Sequence, residues 1–315
     1  MFLLFQKRDF SALVSDTFTF LRVEGKNYFK HFLKLCGIPL FSILILIYLL
    51  ADIGVSSAVS TNTYAGLDPN NIFENIFDEH LGIALLALGG LLLVGLVLSV
   101  ICYAYPALYM KNLATNNGIG DQSKIGKQIT QQIGRILLFF LGTTFLIFPI
   151  IILTFYVSVL LVFIIVGLPI LLLMIPTVYS MLTLACYEYL TKNVGFFTAY
   201  GNAIRYLRYN YWSIIGNTFI FYIITSMITI LPSIAIQVMV LGGSLLFDDS
   251  NLESPFFSNV VKLGIVLLYF VYILFGILAQ NIMFINQGII YYSEREKREN
   301  IFTKNKIDSI GSTNE

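Results

Sequence analysis

The residues from Ile136 to Tyr187 include no Asp, Glu, Lys, Arg or His, a run of 52 positions. A helix crossing a membrane needs about 20 apolar residues, because each advances ~1.5 Å across a ~30 Å hydrocarbon core. The run is too long for one crossing and fits two, folded into a hairpin. A water-soluble domain needs charged side chains at its surface far more often than this. The chain therefore reads as an all-α, polytopic helical membrane protein. Composition agrees, with 57% of the 315 residues hydrophobic and only 12% charged.

Six spans are expected, at about 32–54, 81–110, 136–166, 169–190, 212–246 and 261–292, within a transmembrane domain over 31–293. Gly37 and Pro39 near the start of the first either kink it or mark its first turn. Gly167-Leu168-Pro169 is the expected break in the charge-free run, and a break near Tyr156–Ser158 would divide it more evenly. Pro149 and Pro176 are expected inside the third and fourth spans.

Three segments beside the spans carry helical stripes. Phe10, Leu13, Val14, Thr17, Phe18 and Leu21 share one face within an amphipathic lead-in over 1–30. This lead-in lies in the membrane interface or packs as an ordinary helix on a partner. Ile125, Ile129, Ile133 and Ile136 form a narrower stripe before the third span. Phe197, Tyr200, Ile204, Leu207 and Tyr211 form another before the fifth, with Arg205 and Arg208 pointing elsewhere. The acidic stretch from Ser56 to His80 ends in IFENIFDEH, expected as a short surface helix. Residues 294–315 read as a charged tail, disordered towards its end. The opening MFLLFQKRDF has the wrong order for a signal peptide and is expected to be retained.

Charge sets the expected orientation. Eighteen of the 19 basic residues fall before the first span or at its base, after the second, after the fourth, or in the tail, leaving Lys262 alone on the other side. Both termini are thus expected in the cytoplasm, with the protein multi-pass in a plasma (inner) membrane. The layout reads as three units, each a lead-in followed by a two-span hairpin. FSALVSDTFTFLR and NYF in the first echo FTAYGNAIRYLR and NYW in the third. Duplication and convergence both account for that echo.

RDFSALVSDTFTFLRVEGKNYFKHFL and FTAYGNAIRYLRYNYWSIIGNTFIF resemble the multi-span membrane domain of the bacterial glycerophosphoryl diester phosphodiesterase membrane-domain family, and related uncharacterised bacterial membrane proteins. The similarity is a pattern of helices with an aromatic-basic entry, spread over most of the chain. In the phosphodiesterase members a soluble catalytic barrel follows the membrane domain. Only a short tail follows the last span here, so the resemblance implies the membrane module and not the enzyme activity.

Chemistry-bearing motifs are scarce. No phosphate-binding glycine loop, zinc-binding His-Glu motif or serine-nucleophile elbow occurs, and His31 and His80 are expected at opposite interfaces. Cys36, Cys102 and Cys186 lie in apolar segments without metal-ligand spacing and read as core. Lys34, Asp52 and Glu188 are the ionisable residues inside spans; all sit near span ends and are expected to snorkel. The deeper polar residues Gln280, Asn281 and Gln237 read as interhelical glue or as the lining of a path for a solute or headgroup.

These features point to a non-enzymatic membrane scaffold or accessory subunit. Arg22, Lys26, Arg205 and Arg208 are the expected contacts to anionic lipid headgroups, with a membrane or cytosolic protein as a further partner. A transporter or channel for a small solute or lipid is the alternative. No cofactor, metal or nucleic acid is expected.

Overall fold

The computed structural model describes residues 2–60, 80–115, 124–164, 167–246 and 255–301. Every regular element among them is helical. The helices are α1 (Phe10–Val23), α2 (Gly25–Ser60), α3 (Leu81–Thr115), α4 (Ile125–Gln131), α5 (Ile133–Gly142), α6 (Phe148–Leu160), α7 (Gly167–Lys192), α8 (Phe196–Tyr209), α9 (Tyr211–Leu246) and α10 (Pro255–Glu299). Six stretches are long and apolar enough to cross a membrane: Gly25–Gly54, Leu81–Thr115, Ile133–Leu160, Gly167–Lys192, Tyr211–Met239 and Asn259–Glu299. The acidic stretch carrying IFENIFDEH and the end of the tail lie outside the described residues.

Local chemistry explains the helix boundaries. Asp9 caps α1, its carboxylate accepting from the Ala12 amide at 2.8 Å. Asn193 (φ 57°) and Asn300 (φ 47°) follow the last residues of α7 and α10, using asparagine's tolerance of the left-handed region to end a helix. Pro39 lies well inside α2, so it does not mark a first turn. The third span runs unbroken through Tyr156–Ser158, which excludes the alternative break there, and α7 begins at Gly167. A π-helical turn over Thr143–Ile147 joins α5 to α6. Pro149 has no N–H to offer the Phe145 carbonyl one turn back, which accounts for the irregularity.

All three lead-ins share one plan. A helix stops, one residue breaks the regular pattern, and a spanning helix follows; the break falls at Glu24, Gln132 and Asn210. In the first and third units the match extends to length, 14 residues and then 36. The middle lead-in, α4, has only 7 residues.

The chain divides into two compact units. The first comprises Met1–Leu35, Val100–Thr225 and Gln280–Glu315. Its interior is aromatic. Tyr28 packs edge-on against Tyr105 and Tyr109 at centroid distances of 5.0 and 4.9 Å. Phe139 stacks on Tyr200, and Tyr187 on Tyr291. The second unit comprises Cys36–Ser99 and Ser226–Ala279. Leucines and isoleucines such as Ile38, Leu86, Leu92 and Leu231 cover its outside, the surface a spanning bundle turns to lipid. Helices in it approach at small residues: Leu46 lies over Gly90, and Met239 over Gly264.

The expected stripes are only partly buried in the protein. On α1 the buried residues are Leu13, Thr17 and Phe20, while Phe10 and Phe18 stay exposed. On α8 they are Ala199, Tyr200, Ala203, Tyr206 and Leu207, and Phe197 and Ile204 are exposed. On α8 most of the buried residues are small or polar-tipped. The large apolar residues of the expected stripes are left partly outside, as suits a surface against lipid. α10 continues to Glu299 and carries Glu294 and Glu296 as buried residues; Glu294 accepts from Asn210 at 3.0 Å and pairs with Lys297 at 2.7 Å.

Candidate functional site

The first unit contains several small groups of buried polar side chains arranged along the last part of α10. Asn281 Oδ1 accepts from Tyr28 Oη at 2.7 Å, and Tyr105 Oη donates to the Tyr28 carbonyl at 2.9 Å. One to two turns further on, Asn286 Nδ2 donates to Thr17 Oγ1 on α1 and Asn217 Oδ1 on α9. Gln287 Nε2 donates to Thr218 Oγ1 at 2.8 Å, and its Oε1 accepts from Thr183 Oγ1 at 3.2 Å. Ser180 Oγ and Thr218 Oγ1 lie 2.8 Å apart, so α7, α9 and α10 are tied at one level. Each of these bonds joins different helices, where hydroxyl and amide groups otherwise satisfy only their own helix.

Glu188 gathers a separate buried cluster and corrects the expectation that it snorkels. Its side chain is fully buried. It accepts from Tyr291 Oη at 2.8 Å, Tyr206 Oη at 3.2 Å and Asn202 Nδ2 at 2.8 Å. Lys192 lies 3.2 Å away and also contacts Glu299. A carboxylate in this position joins α7, α8 and α10, and its charge is met by one lysine and three neutral donors. Burial pushes the Tyr206 hydroxyl well above the ordinary phenol range, and the neighbouring Glu188 carboxylate adds to the shift. Tyr200, next along α8, is raised to about 12 by burial, with its hydrogen bond to Thr143 acting the other way.

Arg8 is a second buried charge, absent from the sequence-level candidates. Its guanidinium reaches Asp16 at 2.7 Å and the Leu4 and Leu3 carbonyls at 2.7 and 2.6 Å. Its amide donates to Ser293 Oγ on α10 at 3.0 Å. Burial draws its pKa below the usual value, and Asp16 opposes that shift. Residues 2–8 are thereby held onto the helices instead of trailing from them, with Phe2 edge-on to Phe20 at 5.3 Å.

Close approach makes this packing intolerant. A Cβ added at Gly288 would lie 2.1 Å from Met110 Sδ and 2.6 Å from Tyr187 Oη. Tyr187 Oη is itself engaged, donating to the Phe284 carbonyl at 2.8 Å. Three buried polar atoms in this region have no hydrogen-bond partner among the described residues: Tyr179 Oη, Asn217 Nδ2 and Asn286 Oδ1.

The residues singled out from sequence distribute as follows. Asn281 is buried and Gln280 beside it half-buried, both in the first unit, while Gln237 is exposed and belongs to the second. The polar groups that do meet come from widely separated parts of the chain: Asn286 with Thr17 and Asn217, Gln287 with Thr183 and Thr218, and Glu188 with Tyr206 and Tyr291. One signal in the sequence could have raised Glu188: Cys186-Tyr187-Glu188-Tyr189 repeats Cys102-Tyr103-Ala104-Tyr105 with an acid in place of alanine. Arg22, Lys26, Arg205 and Arg208 are all exposed and form no ion pair among the described residues. Lys34 is exposed, whereas Asp52 pairs with Lys262 within the second unit. Among the described residues no group of His, Cys, Asp or Glu side chains could hold a metal ion.

No family model, no curated protein and no solved structure matches the chain, so the likeness to the phosphodiesterase membrane domain rests on the quoted residues alone.

Proposed function

We propose that the protein is a non-enzymatic membrane scaffold or accessory subunit whose basic lead-in helices engage anionic lipid headgroups, and through them position a partner protein. The observation that carries this reading is a division among the charges. Glu188, Lys192, Glu299, Glu294, Lys297, Arg8 and Asp16 are spent on one another inside the first unit. Arg22, Lys26, Arg205 and Arg208 are left exposed, as are the aromatic side chains of Tyr209 and Trp212. Each exposed cation near an anionic surface contributes about 1 kcal/mol of attraction, and tryptophan favours the headgroup level. The reading places the protein in a bacterial inner membrane with both termini in the cytoplasm, supported by the concentration of basic residues on one side of the spans.

Trp212, the chain's single tryptophan, is 72% exposed and reports directly on this surface. In mixed vesicles, brominated phosphatidylglycerol should quench it more strongly than brominated phosphatidylcholine. Arg205→Glu with Arg208→Glu should remove that preference. Equal quenching by the two lipids in the unaltered protein would reject the headgroup reading.

A path for a small solute or lipid is the second reading, favoured by the orphaned Asn217 Nδ2 and Asn286 Oδ1, which an entering polar group would satisfy. Asn286→Leu that preserves folding but abolishes solute flux in proteoliposomes would support it.

A further inference from the structure

The first helical turns of the third span carry a cation that no carboxylate meets. Arg135 Nη2 donates to the Tyr189 and Val194 carbonyls at 3.2 Å each, and its guanidinium lies 4.6 Å from the Tyr189 ring centroid. Its Nε is buried with no hydrogen-bond partner among the described residues. Lys111 Nζ donates to the Leu190 carbonyl, the next one along α7, at 3.2 Å. Neither cation forms an ion pair among the described residues. The last carbonyls of a helix attract cations, which accounts for one of the two. Two cations on adjacent carbonyls repel each other and leave a net positive pocket that an anion would neutralise.

The surface beside this pocket is apolar and concave. On α5, Leu138, Leu141 and Gly142 follow Arg135 at three, six and seven residues, so they continue one side of the helix towards Phe145 in the π-helical turn. These residues line an open groove of about 440 Å³ whose other wall is Phe196 and Phe197 at the start of α8. Gly142 forms the floor, where a Cβ would lie 2.8 Å from Phe196 Cε2. From Arg135 to Leu146 the helix rises about 16 Å at ~1.5 Å per residue, room for most of an acyl chain. Arg135 also fixes the far wall, since Val194, which it holds, lies two residues before Phe196.

We propose that this groove seats one anionic glycerophospholipid, its phosphate drawn to the unpaired charges of Arg135 and Lys111, and an acyl chain along Leu138, Leu141 and Phe145. Charge complementarity selects the headgroup, and the π-helical turn opens the helix face that the chain occupies. The seat does not use Arg205 or Arg208, so it stands or falls separately from the function proposed above.

Native mass spectrometry tests it on the full chain in detergent with equal phosphatidylglycerol and phosphatidylcholine. The unaltered protein should retain about one phosphatidylglycerol per chain through a delipidating wash. Arg135→Gln should weaken retention roughly tenfold, the loss of one charge-assisted contact. Arg135→Lys should keep part of it. Because Arg135 also holds backbone carbonyls, Leu141→Trp serves as the second variant: Leu141 is exposed, so the indole fills the groove without entering the core. It should lose the lipid with unchanged thermal melting. Arg205→Glu with Arg208→Glu should leave the lipid bound. Retention of phosphatidylcholine equal to phosphatidylglycerol, or wild-type retention in Leu141→Trp, would overturn the seat.

Discussion

The two units use the same residue types differently. In the second unit the hydroxyls of Ser42, Ser99 and Ser233 bond back to carbonyls of their own helices, three or four residues earlier. In the first, Ser180, Thr218, Thr183 and Thr17 reach other helices, and tyrosines from α2, α3, α7 and α10 bond across the packing. The charges follow suit. The second unit holds Asp52 and Lys262 as a partly exposed pair, whereas the first buries Glu188 under three donors and a lysine. Apolar attraction between helices is weak when lipid is the alternative contact, so specificity falls to polar bonds and close small-residue packing. The first unit has both. The second relies on leucine surfaces and a few glycine contacts, and the lipid completes it.

Removing the Glu188 carboxylate should break this contrast most severely. Glu188→Ala leaves Asn202, Tyr206 and Tyr291 without this acceptor, Lys192 keeping only Glu299, an expected cost of about 3–5 kcal/mol over the three donors. The check is thermal melting in detergent, where wild-type behaviour would remove Glu188 as the centre of its cluster. The effect at Gly288 comes next. Gly288→Ala must displace Met110 and Tyr187 and should cost about 1–3 kcal/mol. Gly82→Ala and Gly276→Ala, in the second unit and facing open space, should stay within about 0.5 kcal/mol. Equal melting in all three variants would contradict the close packing at Gly288. Lys262→Gln, which opens the Asp52 pair, should cost less than about 1 kcal/mol, measured the same way.

The smallest effect is a pH dependence. Tyr200 has a folded pKa of about 12 against an ordinary 10.0, so folding favours its neutral form. Its contribution is complete below the lower value and is lost as pH rises through the higher one. Tyr200→Phe should flatten the alkaline melting profile in that window; an unaltered profile would count against burial of the phenol.

Much of the fold was legible in the sequence, and the reasons are local. The charge-free run from Ile136 to Tyr187 forces a hairpin, and Asp9, Asn193 and Pro149 act on the helices that contain or adjoin them. The candidate site was mostly illegible, because it is assembled from distant positions. Tyr291 and Glu188 are 103 residues apart, and Asn286 and Thr17 are 269 apart. An acid near a span end has the same sequence signature whether it reaches for headgroups or is enclosed by tyrosines. The stripe on α8 did not separate its members, for a related reason: Tyr200 and Leu207 are buried beside Ala199 and Ala203, while Phe197 and Ile204 are exposed. The polar contacts thus had to come from the three-dimensional arrangement.

The central claim is that the polar, lead-in side of the molecule meets the cytoplasmic leaflet. Cys36, Cys102 and Cys186 are buried, so an introduced surface cysteine can be labelled over a low background. The most direct measurement is labelling of Arg208→Cys by a membrane-impermeant maleimide in intact cells and after permeabilisation. The account predicts no labelling in intact cells and full labelling once the membrane is opened. Labelling from the outside of intact cells would contradict it.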